Sequence, residues 1–224
     1  MPDLGAVILA GGRADRLGGA DKPGLLIGEQ SLVASVASAA AGAGARNLVL
    51  VGPARPELPG IFAAAAPAGG PGPDPSAGQA RAEVSVAFTC EEPRFAGPVA
   101  ALAAGLRLVR EPWVLLLAAD LPFLRPGHLR AVAAAAEGAG GGAVLLDAEG
   151  RPQWLTSCWP AGALREVLAG YAGRSLGGLL GPLSPVPVTL EYATPDPGPP
   201  WLDCDTPEDL AAARRLARLQ EGAR

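Results

Sequence analysis

The stretch AVILAGGRADRLGGADK, residues Ala6 to Lys22, decides how the rest of the chain is read. Ala6-Val7-Ile8-Leu9 is a short apolar run bounded by glycine, the pattern of a buried strand. Gly11-Gly12 follows at once, where a backbone without Cβ can turn sharply and admit a ligand closely. Arg13, Arg16, a second glycine pair at Gly18-Gly19, and Lys22 complete the segment. Exposed backbone N–H groups and clustered cations just after a first strand form a natural site for a polyphosphate. Lys22 is the only lysine in the chain, and arginine supplies every other cationic side chain. A lysine ammonium is a compact point charge that fits between phosphate oxygens where the planar guanidinium does not.

Two glycine-rich motifs are excluded by spacing. A Walker A loop needs G-x-x-x-x-G-K-[ST], whereas Lys22 stands three residues beyond Gly19 and is followed by Pro23. A dinucleotide fingerprint needs G-x-G-x-x-G and an acid about twenty residues on. Here the glycine spacing differs, and the second strand ends in Val51-Gly52-Pro53 without an acid.

Strand and helix patterns alternate through the chain, which predicts an α/β fold with a mostly parallel central sheet. After the glycine loop, Leu25-Leu26-Ile27 reads as a short extended piece, and Ser31 caps a helix to about Ala41. Asn47–Val51 is the second strand, and a short helix is expected over Glu57–Ala65. Pro67–Ala80 is rich in Pro, Gly, Ala and Ser, so residues 67–80 read as a flexible surface loop within one domain. Val84–Thr89 is the third strand, and Pro98 suits the first turn of the helix after it. Trp113–Ala118 is continuously apolar, as a strand buried on both faces should be. Helices from Pro126 and over Ala161–Ala169, strands at Ala143–Leu146 and Gln153–Trp159, and an extended Val186–Leu190 follow. Thr206-Pro207-Glu208-Asp209 then carries the cap, first-turn proline and acid of a last helix.

Asp120 stands just past the carboxyl end of the Trp113–Ala118 strand, the side on which open α/β sheets bind ligands. It is the candidate ligand for Mg²⁺, a hard cation usually held by one or two carboxylates plus substrate phosphates. Asp203 and Asp205 form an i, i+2 pair and project to one face of a short extended segment. Asp203 reads as a second metal ligand, and Asp205 as an acid serving the helix that Thr206 begins.

The remaining composition excludes other classes. The 224 residues suffice for one domain with a substantial core. A net charge of −4 and the absence of a basic stripe argue against nucleic-acid binding. The longest dense apolar run, Trp113–Ala119, is far short of a membrane span. The N-terminus has no basic n-region and leads directly into a strand, so a cytoplasmic protein is expected. Cys90, Cys158 and Cys204 are widely spaced and read as free thiols, and His128 as structural.

Leu9, Ala10, Gly11, Gly12, Arg16, Gly18 and Lys22 match the signature loop L-A-G-G-x-x-x-R-x-G-x-x-K of the nucleotidyltransferase superfamily. The Asp21-Lys22 pair resembles the molybdenum cofactor guanylyltransferase family in particular. Ala118-Ala119-Asp120-Leu121-Pro122 resembles that family's x-x-D-x-P segment, whose Asp binds Mg²⁺. Asp203 to Leu210 resembles its N/D-x-N/D-T-P-E-D-L signature near the metal and triphosphate. Glu91-Glu92-Pro93 with Gly97-Pro98-Val99-Ala100-Ala101 resembles its E-D…G-P-L-A-G segment, with Glu92 in place of the Asp. Gly52 stands where some relatives carry a nucleotide-contacting Asn. Gly150 to Leu155 resembles the region near the second substrate.

The resemblance implies a Rossmann-like three-layer sandwich of the GT-A-like nucleotidyltransferase type. It implies a single domain over residues 1–224, with a nucleotide-binding half over about 1–122 and an acceptor-binding half over about 123–224. It further implies Mg²⁺-dependent transfer of GMP from GTP to the phosphate of the molybdopterin cofactor. Relatives that use CTP carry A-A-G, so Gly11-Gly12 favours GTP. Lys22, Arg16 and Asp120 would be catalytic, with Arg13 assisting on the triphosphate. Leu9, Ala10, Gly11, Gly12, Gly52 and Glu92 would line the nucleotide. Partner proteins that deliver the cofactor or accept the product are compatible with this reading. Alternatives are a cytidylyltransferase, a transferase acting on a sugar phosphate or other phosphorylated acceptor, and a non-catalytic nucleotide-binding module.

Overall fold

A computed structural model describes residues 3–12, 19, 21–64, 84–190 and 198–221. In chain order its elements are β1 (Leu4–Leu9), the hairpin strands β2 (Leu26–Ile27) and β3 (Gln30–Ser31), α1 (Leu32–Gly42), β4 (Ala45–Val51) and α2 (Glu57–Ala64). Then come β5 (Ser85–Thr89), α3 (Pro98–Leu106), β6 (Trp113–Ala118), α4 (Pro126–Ala139), β7 (Ala143–Leu146) and β8 (Pro152–Pro160). The chain closes with α5 (Ala161–Gly170), α6 (Leu176–Leu180), β9 (Val186–Val188) and α7 (Pro207–Glu221). Local chemistry accounts for several boundaries. Ser31 Oγ accepts the Ala34 amide at 3.3 Å and starts α1, and Ser175 Oγ accepts that of Gly178 at 3.0 Å and starts α6.

The seven-stranded sheet has the order β5-β4-β1-β6-β8-β7-β9. β1 pairs in parallel with β4 and β6, β4 with β5, and β7 with β9. β8 runs against both β6 and β7. The sheet is therefore mostly parallel, as the alternation predicts. Helices cover both faces, which completes three layers. Leu4, Ala6 and Ile8 of β1 face α1 and α4 together with Leu115 and Leu117 of β6. Val7 faces α3, α5 and α6 together with Val114 and Leu116. Val114 to Leu117 are fully buried, so the floor beneath Asp120 is fixed from both sides.

From β1 the chain steps to β4 and β5 on one side, then returns through α3 to β6 on the other. The crevice at the carboxyl ends of β1 and β6 is thus the switch point at which open α/β sheets bind ligands. Pairing continues past the strand ends. Ala10 N donates to Val51 O at 2.9 Å, Ala119 N to Leu9 O at 3.1 Å, and Gly52 N to Thr89 O at 2.8 Å.

The Leu25–Ile27 segment is more than an extended piece, since β2 and β3 form an antiparallel hairpin. The third apolar cluster, with Ile27, Leu32, Phe123, Cys204, Leu210 and Ala213 at its centre, joins that hairpin to α7. The α7 start carries the expected reciprocal cap. Asp209 N donates to Thr206 Oγ1 at 3.2 Å, and Thr206 N donates to Asp209 Oδ2 at 2.8 Å. Val186–Val188 is an edge strand parallel to β7, a long-range pairing with no local signature. Residues 67–80, read as a surface loop, lie outside the described residues. No helix among the described residues is long and apolar enough to cross a membrane.

Gly105 of α3 tests the helix-to-sheet contact. A Cβ there would lie 2.6 Å from Val7 Cγ1 and 2.8 Å from Val51 Cγ2, both on fully buried residues. Helix propensity alone favours Ala over Gly by about 1 kcal/mol, but overpacking costs about 1–3 kcal/mol. Gly105→Ala is therefore expected to lower the urea midpoint. An unchanged or raised midpoint would mean that α3 does not pack this closely.

Candidate active site

A cleft of about 650 Å³ opens at the carboxyl ends of the central strands. Leu9 to Gly12 leave β1 into its floor, Gly52-Pro53 come from the end of β4, Cys90-Glu91 from β5, and Ala119-Asp120 from β6. Lys22 reaches it from a single 3₁₀ turn, Lys22–Gly24, and Asp205 from the segment before α7. Gly52 is required by a close approach. Its φ is +154°, and a Cβ would lie 2.8 Å from both the carbonyl carbon and oxygen of Ala10. An Asn side chain at this position would force the two loops apart. Among the described residues, a Cβ at Gly12 would meet no atom within 4 Å. A glycine there carries no side chain of its own between the backbone and a ligand.

The side chains that meet in the cleft come from remote parts of the sequence. Lys22 Nζ donates to Asp120 Oδ2 and to Asp205 Oδ1. The Lys22 and Asp120 side chains are 16% and 19% exposed, and Asp205 is 46% exposed, so solvent screens the second pair more strongly. Burial disfavours the Lys22 ammonium, but Asp120 and then Asp205 outweigh it and hold its pKa above the usual lysine value. Lys22 is thus a fully charged cation at neutral pH. The reading of Asp205 as serving mainly the last helix missed this pairing. Cys204 is buried against the hairpin and fixes the segment that delivers Asp205. Asp203 is exposed and is not in the cleft wall. Its carboxyl is held above the usual range, first by partial loss of water and then by Asp205 and Asp120.

A second ion pair braces the same loop. Arg55 Nη1 and Nη2 donate to Asp21 Oδ2 and Oδ1 in a bidentate fork. Arg55 is 9% exposed, and its Nε is buried without a hydrogen-bond partner among the described residues. An orphaned buried donor costs about 1–3 kcal/mol, which the charge-assisted fork must offset. The Arg55 hydrogen bonds hold the Asp21 carboxyl below the usual range. Nothing in the sequence around Arg55 marks it, because its partner lies 34 residues away.

Leu9, Ala10, Gly11, Gly12, Gly52, Lys22 and Asp120 all line the cleft. At the β5 end Glu91 lines it, while Glu92 is exposed beside it. Glu91 is buried and accepts the Phe95 amide at 2.9 Å. Phe95 has φ +63°, an unusual conformation for a non-glycine residue. Arg13 and Arg16 lie outside the described residues. His128 accepts the Arg125 amide on Nδ1 at 3.2 Å at the start of α4, a structural role away from the cleft. All three cysteines are free.

Residues 6–188 match the sequence profile of the family described as MobA-like NTP transferase domain. A curated relative from Mesorhizobium japonicum, named molybdenum cofactor guanylyltransferase, is 28% identical over 221 residues, covering 96% of each chain. The structure of a nucleotidyl transferase from Methanothermobacter thermautotroptrophicus aligns with a TM-score of 0.68 at 19% identity, over 97% of this chain and 99% of that one. Molybdopterin-guanine dinucleotide biosynthesis protein A from Archaeoglobus fulgidus aligns with a TM-score of 0.64 at 19% identity, over 96% and 98%. At these identities the two structures bear on the fold, and they share it over nearly the whole chain.

Thiol reactivity checks the packing around the site. Burial pushes Cys158 and Cys204 each up to about 12, and both are closed to solvent. Cys90 lines the cleft, with its Sγ 3.2 Å from Gly52 O. At pH 8 a disulfide reagent is expected to modify one thiol of the native protein quickly, at Cys90, and all three after denaturation. Fast modification of Cys204 in the native protein would contradict the buried anchor beneath Asp205.

Proposed function

The chain belongs to the MobA-like NTP transferase family and is a nucleotidyltransferase, and on that premise we propose that it transfers GMP from GTP to the terminal phosphate of the molybdopterin cofactor. The observation that carries this reading is the convergence of Lys22, Asp120 and Asp205 at the switch point between β1 and β6. A terminal phosphate oxygen of the acceptor attacks the α-phosphorus of GTP in line. The new P–O bond forms as the bond to the β-phosphate oxygen breaks, and pyrophosphate leaves with that electron pair. The nucleophile is already an anion near neutral pH, so no general base is needed. This agrees with a chain whose one histidine is engaged at a helix start.

Catalysis then rests on placement and on neutralising charge. The open backbone of Leu9 to Gly12 receives the nucleotide, and Gly52 keeps the neighbouring loop tight against it. Lys22 supplies a fixed positive charge to the triphosphate, assisted by Arg16 and Arg13. The donor set of Asp120 and Asp205 consists of hard carboxylate oxygens that already hold one cation, Lys22, and such oxygens suit Mg²⁺. Bound there, Mg²⁺ would neutralise charge on the phosphates. Asp205 joins Asp120 as a carboxylate of this set because it shares Lys22 with it, and Asp203, whose carboxyl feels the charges of both, remains a candidate metal ligand beside them. Gly11-Gly12 and the guanylyltransferase names of the relatives favour GTP as donor.

Pyrophosphate release with each of four nucleoside triphosphates, with and without molybdenum-loaded molybdopterin, tests the assignment. GTP with the cofactor should give the highest kcat/KM, the ratio that defines specificity. A preference for CTP would make the chain a cytidylyltransferase, and triphosphate binding without turnover on any phosphorylated acceptor would make it a binding module. Asp120→Asn is expected to lower turnover at least about 10²-fold, as when one electrostatic stabiliser is lost. Raised Mg²⁺ should recover part of that rate. An unchanged magnesium midpoint and maximal rate would reduce Asp120 to a turn residue.

A further inference from the structure

The fork between Arg55 and Asp21 lies beside the phosphate-facing lysine but is not itself part of the proposed chemistry. We propose that Arg55 is a positioning residue for Lys22: by engaging both oxygens of Asp21 it keeps that carboxylate from capturing the neighbouring ammonium. Lys22 is thereby left to the Asp120 side of the cleft and to a bound triphosphate. The inference rests on the reading of the cleft as a triphosphate site.

Several observations carry it. Asp21 is the residue next to Lys22 and itself lines the cleft. Its carboxylate is 58% exposed at the side chain, so it is free to turn toward a nearby cation unless it is held. The holding group is nearly buried, bidentate, and leaves its own Nε without a partner among the described residues. An arginine arranged only to support the fold would be expected to satisfy that donor as well. Only arginine presents the planar fork that occupies both carboxylate oxygens at once, and lysine cannot. The backbone tightens the arrangement, since Gly24 N donates to Asp21 O at 3.0 Å and Leu25 N to Lys22 O at 3.1 Å. A Cβ on Gly24 would press on both Asp21 and Arg55, so the turn closes directly over the fork.

A freed Asp21 would add a negative charge to the wall that receives phosphates and would compete for the one lysine there. Removing the charge of Asp21 should therefore repair the loss of Arg55, whereas a purely structural brace would stay broken. This rescue separates the two roles.

The test uses the full chain with a lysine-free tag. Lys22 is the only lysine, so ¹³Cε-lysine labelling yields one side-chain signal that reports its environment without any turnover. Arg55→Met should displace that signal and weaken binding of Mg²⁺ and GTP, and of inorganic tripolyphosphate, by about tenfold, the scale of one misplaced charge contact. Adding Asp21→Asn to Arg55→Met should return the signal toward its wild-type position and recover most of the affinity. Arg55→Gln removes the fork while keeping a polar side chain and adding no second lysine, and should give a displaced signal even if Arg55→Met fails to fold. A wild-type lysine signal in both Arg55 variants, or a double variant as impaired as Arg55→Met, would overturn the proposal. If the wild type binds no triphosphate, the functional reading falls, and the lysine signal alone still decides the role of Arg55.

Discussion

One ammonium group between two carboxylates, Lys22 with Asp120 and Asp205, is the constraint on which the site depends. The three residues come from the first loop, the end of β6 and the entry to α7. They meet where the ends of β1 and β6 lie side by side and α7 packs against the β2–β3 hairpin. The fully buried β6 strand fixes Asp120, and the cluster joining the β2–β3 hairpin to α7 fixes Asp205. Lys22 rides on a single 3₁₀ turn between these two anchors. Its raised pKa follows from the same geometry, since the paired carboxylates outweigh burial.

Like charges brought together at the end of a sheet repel unless a cation joins them. In this structure Lys22 is that cation. The same arrangement explains the chemistry proposed for the family member. A triphosphate and a phosphorylated acceptor bring still more negative charge, and a chain with a net charge of −4 must gather its positive charge locally. It does so beside glycine-lined backbone, where a ligand can approach closely. Arg55 belongs to the same local balance, because it neutralises the carboxylate adjacent to Lys22.

Much of this was legible in the sequence because the determinants were local. Apolar runs at 6–9 and 113–118 located the central strands, and serine and threonine caps located the starts of α1 and α7. The glycine loop and Asp120 located the cleft, since the carboxyl ends of neighbouring strands must lie side by side. What escaped depended on long-range pairing. The i, i+2 rule placed Asp203 and Asp205 on one face but could not say which would reach Lys22. The long-range contact itself shows that Asp205 does. Of Glu91 and Glu92 it is Glu91 that is buried, lines the cleft and holds the Phe95 amide. Arg55 had no local pattern at all.

The central claim is that Asp120 and Asp205 form one cation-binding pair, served by Lys22 and facing a triphosphate. Crystals grown with Mn²⁺ and a non-hydrolysable GTP analogue would test it through the anomalous signal of the metal. The account predicts a manganese ion bound to Asp120 and Asp205, with Lys22 on the phosphate oxygens and the α-phosphorus open to the acceptor side. An ion held away from Asp120, or a triphosphate bound elsewhere while Lys22 keeps both carboxylates, would contradict it.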